Sequence, residues 1–137
     1  MKTWNEVIKF IRSNCEVSDS YYEGQNAEKD WLKIIVNCQD RRSQMVFVNK
    51  LDESYKTGSW IQIASPCGII NNNDLNSVLE YLGNEFCGGL VKIGNHHFVR
   101  DTMPIDDLSP KEFDAPFQYV ASYADIIERK WVGGDKQ

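Results

Sequence analysis

The 137-residue sequence holds no C-x-x-C pair and no glycine-rich phosphate loop. No apolar run approaches the roughly 20 residues that a membrane span requires. Its cysteines, Cys15, Cys38, Cys67 and Cys87, stand far apart, a pattern expected of free thiols in a reducing compartment. The opening residues, Met1-Lys2-Thr3-Trp4-Asn5-Glu6, lack the apolar centre and small-residue cleavage site of a secretion signal. These absences predict a cytoplasmic protein with no membrane partner. A cationic excess is also missing. Lys and Arg number 15 against 20 Asp and Glu, a net charge of −5, which argues against a nucleic-acid partner.

What is present is apolar and aromatic. Hydrophobic residues make up 42% of the chain, with 4 Trp, 6 Tyr and 6 Phe. That is enough for a core without metal or disulfide support, and a single domain over residues 1–137 is expected.

Thr3-x-x-Glu6 has the spacing of a capping box, and Trp4, Val7, Ile8 and Ile11, widened by Phe10, form a helical stripe ending near Asn14. A short edge strand is expected at 18–22 and a turn at 24–26. Three strands follow, over 31–36, 44–49 and 60–64. Their short connections favour an antiparallel meander. Leu32, Ile34, Val36, Val46, Val48, Ile61 and Ile63 share one aliphatic face, which helices should cover. The other face carries Trp31, Ile35, Met45, Phe47 and Trp60, too apolar for open water. Ser65-Pro66 is expected to end the third strand.

The asparagines 71–73 and Asp74 should cap a helix with the stripe Leu75, Val78, Leu79 and Leu82, stopped by Gly83. Next, Gly94-Asn95 joins two β-prone runs as a tight hairpin that pairs Ile93 with His96 and Val91 with Phe98. Val91, Ile93 and Phe98 then share one side, and Leu90 and Val99 lie on the other with Lys92 and His97. The last helix should start at Ser109 with Pro110 at N1 and Glu112 completing a capping box. Pro116 means either that its first turn is separate or that it bends there. Phe117, Val120, Ala121, Ala124, Ile127 and Trp131 continue the stripe, and Gly133-Gly134 ends it.

No catalytic constellation emerges. His96 and His97 are adjacent, point to opposite faces of a strand and cannot chelate one metal together; they read as polar residues at a hairpin tip. Asp101, Asp106 and Asp107 have the chemistry of a cation site, yet charge before a helix N-terminus is favourable anyway. Arg41-Arg42 reads as a solvated turn. Cys67 or Cys87, working with a histidine, is the enzymatic alternative; a nucleophilic thiol needs a base and a lowered pKa. The aromatic surplus of Trp31, Phe47 and Trp60 reads either as core or as a face that meets another chain, where aromatic anchors carry most of the binding energy.

The order of elements, with Trp60-Ile61-Gln62-Ile63-Ala64-Ser65-Pro66, the helix over 75–82, the hairpin over 89–104, Tyr123-Ala124-Asp125 and Glu128, resembles the YbjN-like family within the type III secretion chaperone-like folds. The resemblance implies an α+β fold of order αβββαββα with an antiparallel five-stranded sheet. It also implies a non-enzymatic protein- or peptide-binding module, chaperone-like or regulatory, acting as a homodimer on another polypeptide, without a cofactor. Trp31, Phe47, Trp60, Leu90 and Val99 are the expected partner or dimer contacts. A toxin-neutralising inhibitor protein is a further alternative of similar size and acidity.

Overall fold

The computed structural model describes residues 1, 3–14, 16–17, 31–38, 41–51, 59–106 and 108–133. The elements run α1 (Trp4–Asn14), β1 (Glu16–Val17), β2 (Trp31–Asn37), β3 (Ser43–Leu51), β4 (Trp60–Gly68), α2 (Leu75–Gly83), β5 (Gly89–Ile93), β6 (His96–Pro104) and α3 (Pro110–Ile127). The fold is the α+β arrangement expected: five antiparallel strands and three helices, with the two-residue β1 added at one edge. The sheet order is β1-β2-β3-β4-β6-β5. The expected strand at 18–22 and turn at 24–26 lie outside the described residues, as do Cys15 and Asp107.

Strand parity decides which side chains meet the helices. Leu32, Ile34, Val36, Val46, Val48, Ile61 and Ile63 are all buried on one face. Register carries that face across the sheet, with Ile34 opposite Val46 and Val48 opposite Ile63. α3 lies over it, across β3, β4 and β6, burying Phe113, Phe117, Val120, Ala121, Ala124 and Ile127. α1 adds Trp4, Val7 and Ile11, and its Phe10 meets Phe113 edge-on at 5.7 Å. Val78 and Leu82 of α2 complete the layer.

The helix ends form as their sequences dictate. The Glu6 amide donates to Thr3 Oγ1 at 3.2 Å. Ser109 and Glu112 form the full capping box, with Pro110 at the first helical position. Asn71 accepts from the Asn73 amide and caps a short 3-10 turn, Asn72–Asp74, which leads into α2. Gly83 is the last residue of α2 rather than its stop; Asn84, in right-handed backbone, caps it. α3 passes through Pro116 as one helix and then widens into a π-helical turn, Glu128–Val132, closed by Gly133 at φ +93°.

Two expectations are corrected. β4 does not end at Ser65-Pro66 but runs on to Gly68. The β3–β4 register ends at Phe47 opposite Ala64, so Pro66 lies beyond the ladder that needs its missing N–H. Side chains take over there: Gln44 Nε2 donates to Ser65 Oγ and to the Pro66 carbonyl, and Ser65 Oγ donates to the Met45 carbonyl. A bulge between Pro66 and Gly68 follows. Leu79, expected in the buried stripe of α2, is instead 50% exposed, because α2 buries only Val78 and Leu82 against the layer.

Gly68 sits at φ +92°, and a Cβ there would stand 2.8 Å from Val132 Cγ1. Gly83 has ordinary helical backbone with nothing within 4 Å of a Cβ. Gly68→Ala is therefore expected to destabilise by about 2 kcal/mol or more, from backbone strain and overpacking together. Gly83→Ala should stabilise by about 0.5–1 kcal/mol. Equal and small changes in the two denaturation midpoints would contradict this placement.

Candidate functional site

The face turned away from the helices carries Lys33, Ile35, Met45, Phe47, Trp60 and Gln62, all half-buried. Trp31 opens β2 opposite Asn49, and Lys33 stands opposite Phe47. Trp60 pairs with Leu51 on one side and Pro104 on the other. The same parity continues through Phe98 and Val91, which stand opposite each other, to Ile93. Phe47, Trp60, Val91, Phe98 and Ile93 thus share one face. Leu90 and Val99 do not join it. Val99 pairs with Ser65, puts its side chain on the helix-covered face and is fully buried, while Leu90 packs partly buried against the same core. These two residues are expected from the sequence as partner or dimer contacts; β6 sits between β4 and β5, and its register turns them toward the chain's own core.

β5 ends the sheet, paired only with β6 among the described residues. Gly94, at φ +60°, supplies the first central position of the two-residue turn, and Asn95 needs no positive φ, as in a type II′ hairpin. In such a hairpin Ile93 and His96 exchange both backbone bonds, as do Val91 with Phe98 and Gly89 with Arg100. The alternation turns the N–H and C=O groups of Leu90 and Lys92 outward, along the open edge.

Beside this edge stands an aromatic series that sequence periodicity did not single out. Phe86, three residues before β5, is 78% exposed and lies 5.3 Å from Tyr119, itself 40% exposed. Tyr119 stacks on Tyr123 at 5.6 Å, Tyr123 meets Tyr81 edge-on, and Tyr81 meets Trp131 at 5.8 Å. The Tyr123 hydroxyl accepts from the Phe86 amide at 3.3 Å, tying the Phe86 turn to α3. Burial pushes the Tyr81 hydroxyl up to about 12, helped by Glu85 and Tyr123. The available sequence signal was a phenylalanine without periodic partners in the polar turn Gly83-Asn84-Glu85-Phe86.

A second cluster lies at the far end of α3. Arg42, read from the sequence as solvated, is only 16% exposed; its Nε lies 2.7 Å from Asp125 Oδ1 and its Nη2 3.3 Å from Glu128 Oε1. Arg129 reaches Asp125 Oδ2 at 3.4 Å. Asp125 and Glu128 are both nearly fully buried, so they require this cation. The residues Tyr123-Ala124-Asp125 and Glu128, quoted above for a resemblance, here tie α3 to the β2–β3 connection and to the Phe86 turn.

Among the described residues, the thiols and histidines do not form a reactive pair. Burial pushes the Cys67 thiol up to about 12, with Glu128 adding to it, and Cys87 up to about 11, with Asp101 adding to it. Cys38 is likewise raised, chiefly by burial. A nucleophile needs the opposite shift. Cys67 Sγ donates to the backbone carbonyl of His97, not to its ring. His97 is not a solvated tip residue: it is buried, and its Nδ1 accepts the Ile70 amide at 3.1 Å, fastening the segment after β4. Burial first, and then Lys92, lower its pKa. His96 is exposed.

Asp101 and Asp106, with Glu112, Met103, Leu108 and Pro116, line an open cleft of about 290 Å³. The Glu112 carboxylate is already engaged by the Ser109 amide and that of Asp101 by the Thr102 amide. Among the described residues no group of three or more His, Cys, Asp or Glu side chains is placed to hold a metal ion, and no helix is long and apolar enough to cross a membrane. Compared with protein-family models, curated proteins and solved structures, the chain matches none.

Arg42→Met removes the cation that bridges the buried carboxylates of Asp125 and Glu128 and is expected to destabilise by about 3–5 kcal/mol. Replacing Asp125 and Glu128 as well, by Leu and Met, should recover most of that loss in chemical denaturation. A single Arg42→Met variant of unchanged stability would show that the cluster is solvated.

Proposed function

We propose that the chain is a non-enzymatic protein- or peptide-binding module, chaperone-like or regulatory, acting as a homodimer on another polypeptide. The observation that carries this reading is the open edge of β5 with Phe86 and Tyr119 exposed beside it. A free edge offers main-chain hydrogen bonds to a strand of a second copy, and aromatic anchors beside it offer the apolar contact that gives such pairing its energy. The half-buried residues of the outer sheet face, Phe47, Trp60 and Phe98, offer a separate apolar surface to the other polypeptide. The raised thiol pKa values favour binding over thiol chemistry, since Cys38, Cys67 and Cys87 all hold their protons more tightly than a free cysteine. The partner is expected to be a protein rather than a nucleic acid, given the net charge of −5.

Sedimentation equilibrium at micromolar concentration should return about twice the chain mass of 15.8 kDa. A displayed library of random extended peptides should yield binders to the wild type, and Phe86→Ala should weaken the dimer. Because Phe86 is 78% exposed, its truncation should change stability by no more than about 0.5 kcal/mol. A single-chain mass with no retained peptide would refute the proposal.

A further inference from the structure

The geometry points to the second copy as the occupant of the β5 edge: β5 pairs antiparallel with the partner's β5 about a two-fold axis at Val91. This inference rests on the dimeric reading above and specifies its interface. Three features of the strand fit that one register. First, the outward backbone groups belong to Leu90 and Lys92, one on each side of Val91, so a two-fold axis there sets Leu90 against the partner's Lys92 and Lys92 against the partner's Leu90. Each such pair exchanges both of its outward bonds, and Val91 meets the partner's Val91 as the close, non-bonded pair between them. All five residues of β5 then overlap.

Second, the ends of the strand complement each other. Ile93, 50% exposed, falls opposite the partner's Gly89, whose Cβ position has nothing within 4 Å. Each copy thus supplies one bulky end and one vacant end, and the axis brings them together twice. Both lie on the outer face with Val91, at the parity of Phe47 and Trp60. Third, charge selects this register over its neighbour. Lys92 is the only charged residue of β5. An axis at Lys92 would place it directly against the partner's Lys92, a destabilising like-charge pair; an axis at Val91 faces it with leucine.

The flanking surface supplies the remaining area. α2 packs beside β5, and Phe86 lies three residues before it. Aromatic side chains carry about 150–250 Å² each, so the exposed parts of Phe86, Tyr119, Leu79 and Ile93 offer on the order of 400 Å² per protomer, half of the roughly 800 Å² per partner in a standard interface. Strand pairing contributes the balance, and the product is one sheet continuous through both protomers.

The test uses the full chain and two substitutions. Val91→Cys places a thiol opposite its own copy, where a non-bonded antiparallel pair has its Cα atoms about 4.5 Å apart, inside the disulfide range. Under mild oxidation it should form a symmetric inter-chain disulfide at position 91, identified by peptide mass spectrometry and so separated from the native thiols. Lys92→Cys, facing the partner's Leu90, should not cross-link to its own copy. Lys92→Pro removes an outward N–H on an exposed residue without touching a bond to β6, and should raise the dimer dissociation constant about tenfold or more while its far-ultraviolet circular dichroism is unchanged. A wild-type dimer in which Val91→Cys stays reduced and Lys92→Pro stays dimeric would overturn this interface and leave the dimeric reading standing. A wild type that is monomeric throughout the micromolar range would overturn both.

Discussion

The fold depends on one contact: the apolar stripe of α3 on the aliphatic face of the sheet. Phe113, Phe117, Val120, Ala121, Ala124 and Ile127 bury against β3, β4 and β6, and Leu32, Ile34, Val36, Val46, Val48, Ile61 and Ile63 are buried with them. A one-residue slip in any strand would exchange this face for the other, so the register is held by hydrophobic burial itself. The helix is fixed at both ends. Ser109 and Glu112 cap its start, and Arg42 holds Asp125 and Glu128 near its finish. In between, Pro116 removes one hydrogen bond from the ladder, and the helix continues because its buried stripe outweighs that loss.

Much of this was legible in the residues. Period-two alternation identified the aliphatic face, capping-box spacing located the starts of α1 and α3, and Gly94-Asn95 set the hairpin register of β5 and β6. The less legible parts share a physical cause, which is contact between positions distant along the chain. Arg42 and Asp125 are 83 positions apart, and nothing local to Arg41-Arg42 announces a buried partner. The two faces of the hairpin were separable from sequence, but which of them met the helices depends on how β6 registers against β4. The pairing of Val99 with Ser65 puts Val99 into the core, so Leu90 and Val99 face the helix-covered side while Val91 and Ile93 look outward. His97 moved in the same way, from an expected hairpin tip to a buried acceptor for Ile70.

The candidate site was legible only in its chemistry. Aromatic excess on Phe47 and Trp60 marked the outer face, yet Phe86 and Tyr119 belong to no periodic stripe and became visible only by their exposure beside β5. The two features have different physical origins. The outer face is apolar because alternating strand residues are apolar on both sides, whereas the edge is open because β5 stands last in the sheet order and, among the described residues, pairs only with β6. Together they give the described part of the molecule an apolar flank next to outward-facing main-chain groups, a combination that suits strand pairing.

Amide hydrogen exchange resolved by residue bears on the edge most directly. Within β5 the amides of Val91 and Ile93 face β6, and those of Leu90 and Lys92 face outward. The amides of Val91 and Ile93 should be protected at every protein concentration. Those of Leu90 and Lys92 should exchange fast in dilute protein and slow together as the concentration rises and the edge is occupied. Free exchange at Leu90 and Lys92 under conditions where the chain is fully associated would contradict the account.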